Sequence, residues 1–144
     1  MTSRDATTHW EGGLRSGSGM VSLDSSNAGE FPVSFPTRAG NPEGQTSPEE
    51  LIAGAHSACL AMSLANVLET AGHIPSSLDV SAEVTLGAER GGGFRISQIA
   101  ITARARVDGV DGEQFAEYAR TAERSCPVSK ALSGTTITID AALD

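Results

Sequence analysis

The sequence predicts an α+β fold with one long helix, in a single domain covering residues 1–144. Three observations carry that prediction. The patterns run strands, a long helix, two strands, one or two helices and a strand, with no regular βαβ alternation and no internal repeat. Two stretches, 78–89 and 94–107, alternate apolar and polar residues with the period of a half-buried strand. Between the early and late strands, a strongly signalled helix starts after Ser47 and meets its first natural stop at Gly72.

Taken in order, residues 1–8 are polar and expected to fray. THWEGGL, GSGMVSL and EFPVSF have strand character and are separated by glycine or Asn-Ala-Gly turns. GGLRSGSG lacks the Gly-Lys-Ser/Thr ending of a phosphate-binding loop and opens no helix, so it reads as a hairpin turn. AGNPEGQTS, residues 39–47, is a loop. It ends in Ser47 as N-cap, Pro48 at the first helical position and Glu50 in place to complete a capping box. The helix that follows carries Leu51, Ile52, Ala55, Cys59, Met62, Asn66 and Leu68, and much of it is small or apolar on every side. It is therefore expected to be buried, with its alanines allowing close approach of another element.

Leu78, Val80, Ala82, Val84 and Leu86 mark the next strand, and ERGGGF turns the chain. Ile99, Ile101, Ala103, Ala105 and Val107 mark its partner, whose Arg104 and Arg106 face the other way. GEQFAEYARTAERS is a helix with Phe115, Tyr118 and Ala119 as its apolar stripe. CPVSKAL is a further short helix, and TTITIDAAL closes as a strand.

With 144 residues and 39% hydrophobic content, the chain can build a real core. A net charge of -8 argues against binding nucleic acid. The longest apolar run falls short of a membrane span, and no charged-then-apolar signal opens the chain, so the expected compartment is the cytoplasm. Of ten basic residues only Lys130 is a lysine. The rest are arginines, which keep their charge when buried and grip carboxylates in a planar fork.

Two cysteines, Cys59 and Cys126, stand 67 positions apart. In a reducing compartment they are expected to be free, metal-bound or a cycling pair. His56-x-x-Cys59 is the only nearby metal-type spacing, and a structural zinc needs four ligands, so neither metal nor cofactor is expected. Pro127 places Cys126 at or near an N-cap, where free N–H groups lower a thiol pKa; alternatively Ser125 caps the helix and Cys126 only packs. Cys59 lies about three turns into its helix, beyond the reach of the terminal dipole. Burial among alanines would leave it inert unless a cation arrives from elsewhere in the fold. An arginine held by an acid would serve. Glu49 lies nearer the cysteine's side of the helix than Glu50, although about 15 Å away along the axis by the rise per residue.

SPEELIAGAHSACLAMSL, HWEG, FPTRAG and SCPVSKAL with its closing strand resemble the OsmC/Ohr family of thiol peroxidases, over roughly residues 8–143 and nearer its OsmC branch. The resemblance implies antiparallel sheets with a long central helix, in an intertwined homodimer with active sites formed by both chains. It implies a peroxidatic Cys59, a resolving Cys126, and Arg38 held by Glu49, with Arg15 the lesser candidate arginine. The implied reaction reduces organic hydroperoxides through a Cys59 sulfenic acid and a Cys59–Cys126 disulfide, using a dithiol reductant, a lipoyl-type one among the options. Met62, Leu64 and Phe35 are the expected apolar surroundings of the substrate. The alternatives are a redox-sensing or ligand-binding module with the same fold and no turnover, and a hydrolase using His56, Ser57 or Cys59. The last has no nucleophile elbow and no residue placed to orient His56.

Overall fold

The computed structural model describes all residues from Met1 to Asp144. Six strands and four helices follow one another as β1 (Thr7–Glu11), β2 (Ser18–Ser22), β3 (Glu30–Val33), α1 (Phe35–Ala39), α2 (Pro48–Thr70), β4 (Ser77–Ala88), β5 (Phe94–Arg106), α3 (Gly112–Ser125), α4 (Pro127–Ala131) and β6 (Thr136–Leu143). The chain divides into two compact units, Met1–Leu51 and Ile52–Asp144; α2 begins in the first and continues in the second.

The first unit is a three-stranded antiparallel sheet, β1-β2-β3, followed by α1 and the opening turn of α2. Gly17 permits the β1–β2 turn, because a Cβ there would collide with the carbonyl oxygens of Glu11 and Gly13. Only Val21 on these strands is buried, and Trp10, Met20 and Phe31 stay open. A sheet this small has no second layer within its own unit. Helix α1 was not legible as a helix: EFPVSF reads as one strand, yet the strand ends at Val33. Pro36 falls at the start of the helical turn, and the Arg38 N–H closes it by donating to the Ser34 carbonyl at 3.0 Å.

Helix α2 starts where its signals place it. Ser47 Oγ accepts from the Glu50 N–H at 3.1 Å, while the Glu50 carboxylate takes the Thr46 hydroxyl at 2.6 Å. It stops in a Schellman turn: His73 N–H donates to the Leu68 carbonyl, Gly72 N–H to that of Glu69, and Gly72 takes a φ of 89°. With 23 residues and an 18-residue stretch of mean hydropathy 1.6, α2 is by length and composition apolar enough to cross a membrane, which goes beyond the sequence expectation. It is also less buried than expected. One ridge at four-residue spacing, His56, Leu60, Leu64 and Leu68, is wholly buried, while Gly54, Ala55, Ala58, Met62 and Asn66 remain open.

The second unit holds the core. In its sheet, β5 is central, antiparallel to β4 and parallel to β6. The parallel pair departs from the all-antiparallel expectation, because α3 and α4 carry the chain back so that β6 runs alongside β5. Ile99, Ile101, Ala103 and Ala105 of β5 point to one face and pack with the Leu60–Leu64–Leu68 ridge and with Phe115, Ala119 and Ala122 of α3. The opposite face is polar, and Arg104 there pairs with Asp140 at 3.0 Å. Each fully buried leucine of the ridge contributes about 2 kcal/mol.

Candidate functional site

Cys126 sits at a junction that its neighbours in sequence enforce. Its N–H closes α3 on the Ala122 carbonyl at 2.8 Å, Pro127 opens α4, and its own sulfur is the N-cap, accepting the Ser129 N–H at 3.5 Å. Ser125 is taken up otherwise, its hydroxyl donating back to the Ala122 carbonyl at 3.2 Å. Cys126 is buried and Cys59 is partly buried on α2. Their sulfurs lie 3.0 Å apart, both as free cysteines. A disulfide spans about 2.05 Å, so closing the bond requires a movement of about 1 Å.

The two thiols are not equivalent. Burial pushes Cys59 up from the ordinary thiol range, and its hydrogen bond to Cys126 pushes the same way; the backbone of Val128 opposes them more weakly. Burial also works against ionising Cys126. There it is outweighed by hydrogen bonds from Cys59 and from the backbone N–H and hydroxyl of Ser129, and the Cys126 thiol is lowered. Taken on its own, the second unit therefore makes Cys126 the more easily ionised of the two thiols. The raised Cys59 thiol agrees with the sequence expectation that burial works against its ionisation.

His56 and Ser129 join this cluster. His56 Nε2 and Ser129 Oγ are 2.7 Å apart, both side chains are buried, and His56 Nδ1 has no hydrogen-bond partner. Ser129 was missed in the sequence, although its place three residues after an N-capping Cys126 is where a helix's first free N–H groups stand. Ser57 is no nucleophile candidate here, since its hydroxyl bonds back to the Gly54 carbonyl at 3.1 Å within the helix.

In the first unit, Arg38 comes from the last turn of α1 and Glu49 from the first turn of α2. The Arg38 guanidinium lays its Nε–Nη2 edge on the carboxylate, with Nη2 at 2.8 Å and Nε at 3.0 Å from Oε1. Glu49 is buried and Arg38 about one third exposed, an arrangement that orients a charge more than it stabilises the fold. Beside them lies a cavity of about 410 Å3, lined by Trp10, Leu14, Val21, Phe35, Arg38 and Leu51 among others. Arg15 is placed differently, with its guanidinium 5.7 Å from the centre of the Phe35 ring. Of the expected apolar surroundings, Phe35 lines this cavity. Leu64 does not, being buried in the core of the second unit because it falls on the four-residue ridge, and Met62 is 72% exposed.

Residues 40–141 match the OsmC-like protein family. Peroxiredoxin OsmC of Escherichia coli (strain K12) is 40% identical over 132 residues, 92% of this chain and 90% of that protein. An organic hydroperoxide resistance protein from Elizabethkingia anophelis superposes with a TM-score of 0.78 at 28% identity, covering 100% of this chain and 96% of its own. A putative organic hydroperoxide resistance protein from Vibrio cholerae gives 0.76 at 26%, covering 99% and 92%. Matched over most of its length in both sequence and fold, the chain belongs to the OsmC-like protein family.

Proposed function

We infer that this chain is a thiol-dependent peroxidase, and we propose that it reduces organic hydroperoxides to alcohols with Cys59 as the attacking thiol and Cys126 as the resolving one. Peroxidase activity rests on the likeness to peroxiredoxin OsmC over most of the chain. The observation that carries the finer reading is the 3.0 Å approach of two free cysteines drawn from α2 and from the α3–α4 junction. Packing alone gives no reason for the two sulfurs to meet at the capped end of a helix.

In this reading Arg38, held by Glu49, supplies the positive charge that moves the thiolate onto Cys59, in the same chain or in the second copy of a homodimer. The Cys59 thiolate attacks one peroxide oxygen, the O–O bond breaks, and the alkoxide leaves as the alcohol after taking a proton. Cys59 is left as a sulfenic acid. Cys126 displaces its hydroxyl to give the disulfide, and a dithiol reductant restores both thiols by exchange. Two units acting as one OsmC-like domain, working in the cytoplasm where thiols are kept reduced, suit that cycle.

The test is anaerobic. Reduced protein receives one equivalent of cumene hydroperoxide, followed by thiol titration and intact mass. Loss of both thiols with a Cys59–Cys126 linkage within one chain is the expected result, and two surviving thiols would overturn the reading. A sensor without turnover is favoured by the raised Cys59 pKa; it would oxidise once and consume no excess peroxide in the presence of a dithiol.

A further inference from the structure

His56 is a wholly buried titratable group that the cycle above does not use. Burial holds its imidazole below the ordinary histidine range, against a weaker opposing pull from the Glu123 carboxylate on α3, so it is neutral at neutral pH. A neutral imidazole carries one proton, and its two nitrogens have unequal surroundings here. Nδ1 is buried with no partner, while Nε2 is 2.7 Å from Ser129 Oγ. A proton on Nδ1 would leave a buried N–H donor unpaired, the rarer and costlier defect; a bare Nδ1 leaves only a lone pair unused. The ring therefore carries its proton on Nε2 and donates to the serine oxygen.

That choice determines where the serine hydroxyl points. With its oxygen accepting from His56, the hydroxyl hydrogen is free to donate elsewhere, and Cys126 is the sulfur that Ser129 already touches through its N–H. With the opposite tautomer, the hydroxyl would donate to Nε2 and turn away from the sulfur.

We propose that His56 is a positioning residue: its Nε2–H donates to Ser129 Oγ, which turns the Ser129 hydroxyl onto the Cys126 sulfur and readies that sulfur as a nucleophile. The proposal rests on Cys126 being the resolving thiol. In the step it prepares, the Cys126 thiolate pair forms the S–S bond and the Cys59 S–O bond breaks. The oxygen leaves as hydroxide and is protonated by solvent to water. Cys126 is oxidised and the Cys59 sulfenic sulfur is reduced to the disulfide level. Neither His56 nor Ser129 is consumed. The titratable group acting on the imidazole is Glu123 from α3, and Cys126 at the start of α4 lies beyond Ser129.

The experiment needs no peroxide, so it stands apart from the peroxidase assay. In a Cys59→Ser background, the pH dependence of iodoacetamide alkylation at Cys126 is compared with that in added Ser129→Ala, His56→Leu and His56→Gln variants, each checked for folding by circular dichroism. Ser129→Ala and His56→Leu are expected to move the alkylation midpoint up by about one pH unit, a tenfold loss of thiolate at neutral pH. Glutamine, whose amide N–H can replace Nε2–H, is expected to hold it near the background value. Profiles that coincide in all four proteins would overturn the proposal. The 15N chemical shifts of His56 in the unmutated reduced protein decide the matter even where a variant fails to fold: an Nε2–H tautomer is required, and an Nδ1–H tautomer overturns it.

Discussion

The two units spend the same amino acids differently. Ile52–Asp144 buries three leucines of α2, the apolar face of β5 and the inner face of α3 in one core, and sets its two cysteines against that core. Met1–Leu51 buries one strand residue, Val21, and leaves Trp10, Leu14, Met20 and Phe31 open; Trp10 and Leu14 line a cavity that Arg38 borders. The second unit is a scaffold that fixes two sulfurs. The first is a set of surfaces and charges whose apolar side chains have nothing to cover them within their own layer. Large apolar side chains left open beside a cavity suit a surface that takes a partner or a ligand. A second copy of this chain, as the proposed homodimer requires, fits that need.

The sharpest way to break the comparison is to remove the thiol chemistry and leave the core. Cys59→Ser is expected to abolish peroxide consumption, by about 1,000-fold or more, with thermal stability close to that of the parent. Cys126→Ser is expected to let one peroxide react and then accumulate sulfinic acid at Cys59, visible as a mass gain of two oxygens. A Cys59→Ser protein with full turnover would place the chemistry elsewhere.

Next come the charges of the first unit. Arg38→Met is expected to lower kcat/KM for cumene hydroperoxide by about 100-fold at neutral pH, and Glu49→Gln by roughly 10-fold. The sign of the pH effect follows from the thiol. Cys59 is raised by burial, so losing the cation leaves its ionisation to higher pH, and the kcat/KM profile should move alkaline in Arg38→Met. An unmoved profile with a lower plateau would assign Arg38 to substrate binding alone.

Stability should divide the units in the opposite sense. Leu64→Ala, in the wholly buried ridge, is expected to cost about 3 kcal/mol in denaturant unfolding, and Val21→Ala, under its thin sheet, about 1 kcal/mol. Equal costs would mean that the first unit has a core as firm as the second. A pH-dependent effect belongs to His56. Its folded pKa is lowered, so the unfolded chain binds the proton first. Stability is therefore full above the unfolded value near 6.5 and falls as pH drops below it, by up to about 1.4 kcal/mol per unit, until the folded pKa is reached. Urea midpoints measured from pH 7.5 to 5 on the parent and on His56→Gln isolate that slope.

Most of the fold was legible because its signals are local. Ser47 and Pro48 start α2, Gly72 stops it, and period-two alternation marks β4 and β5; each acts within a few residues. What was not legible depended on distant parts of the chain. The parallel pairing of β6 with β5 is set by how α3 and α4 return the chain. The open face of α2 looks in sequence like its buried face, because alanine, glycine and methionine suit either. At the site, the N-capping role of Cys126 followed from Pro127, and the raised Cys59 pKa from its depth in an apolar helix. The His56–Ser129 contact joins residues 73 positions apart, and no local pattern signals it. Leu64, five positions after Cys59, falls on the ridge that turns into the core, a side that composition alone does not distinguish along this helix.

The 67-residue separation of the two sulfurs bears on more than reactivity. A bond between them would tie off almost half the chain, and in the loop-closure view that removes unfolded-state entropy equivalent to about 4 kcal/mol. Each proposed turnover would then carry the protein between a reinforced oxidised form and a looser reduced one. The enzyme would resist unfolding most at the moment when peroxide has used it and reductant has not yet returned it.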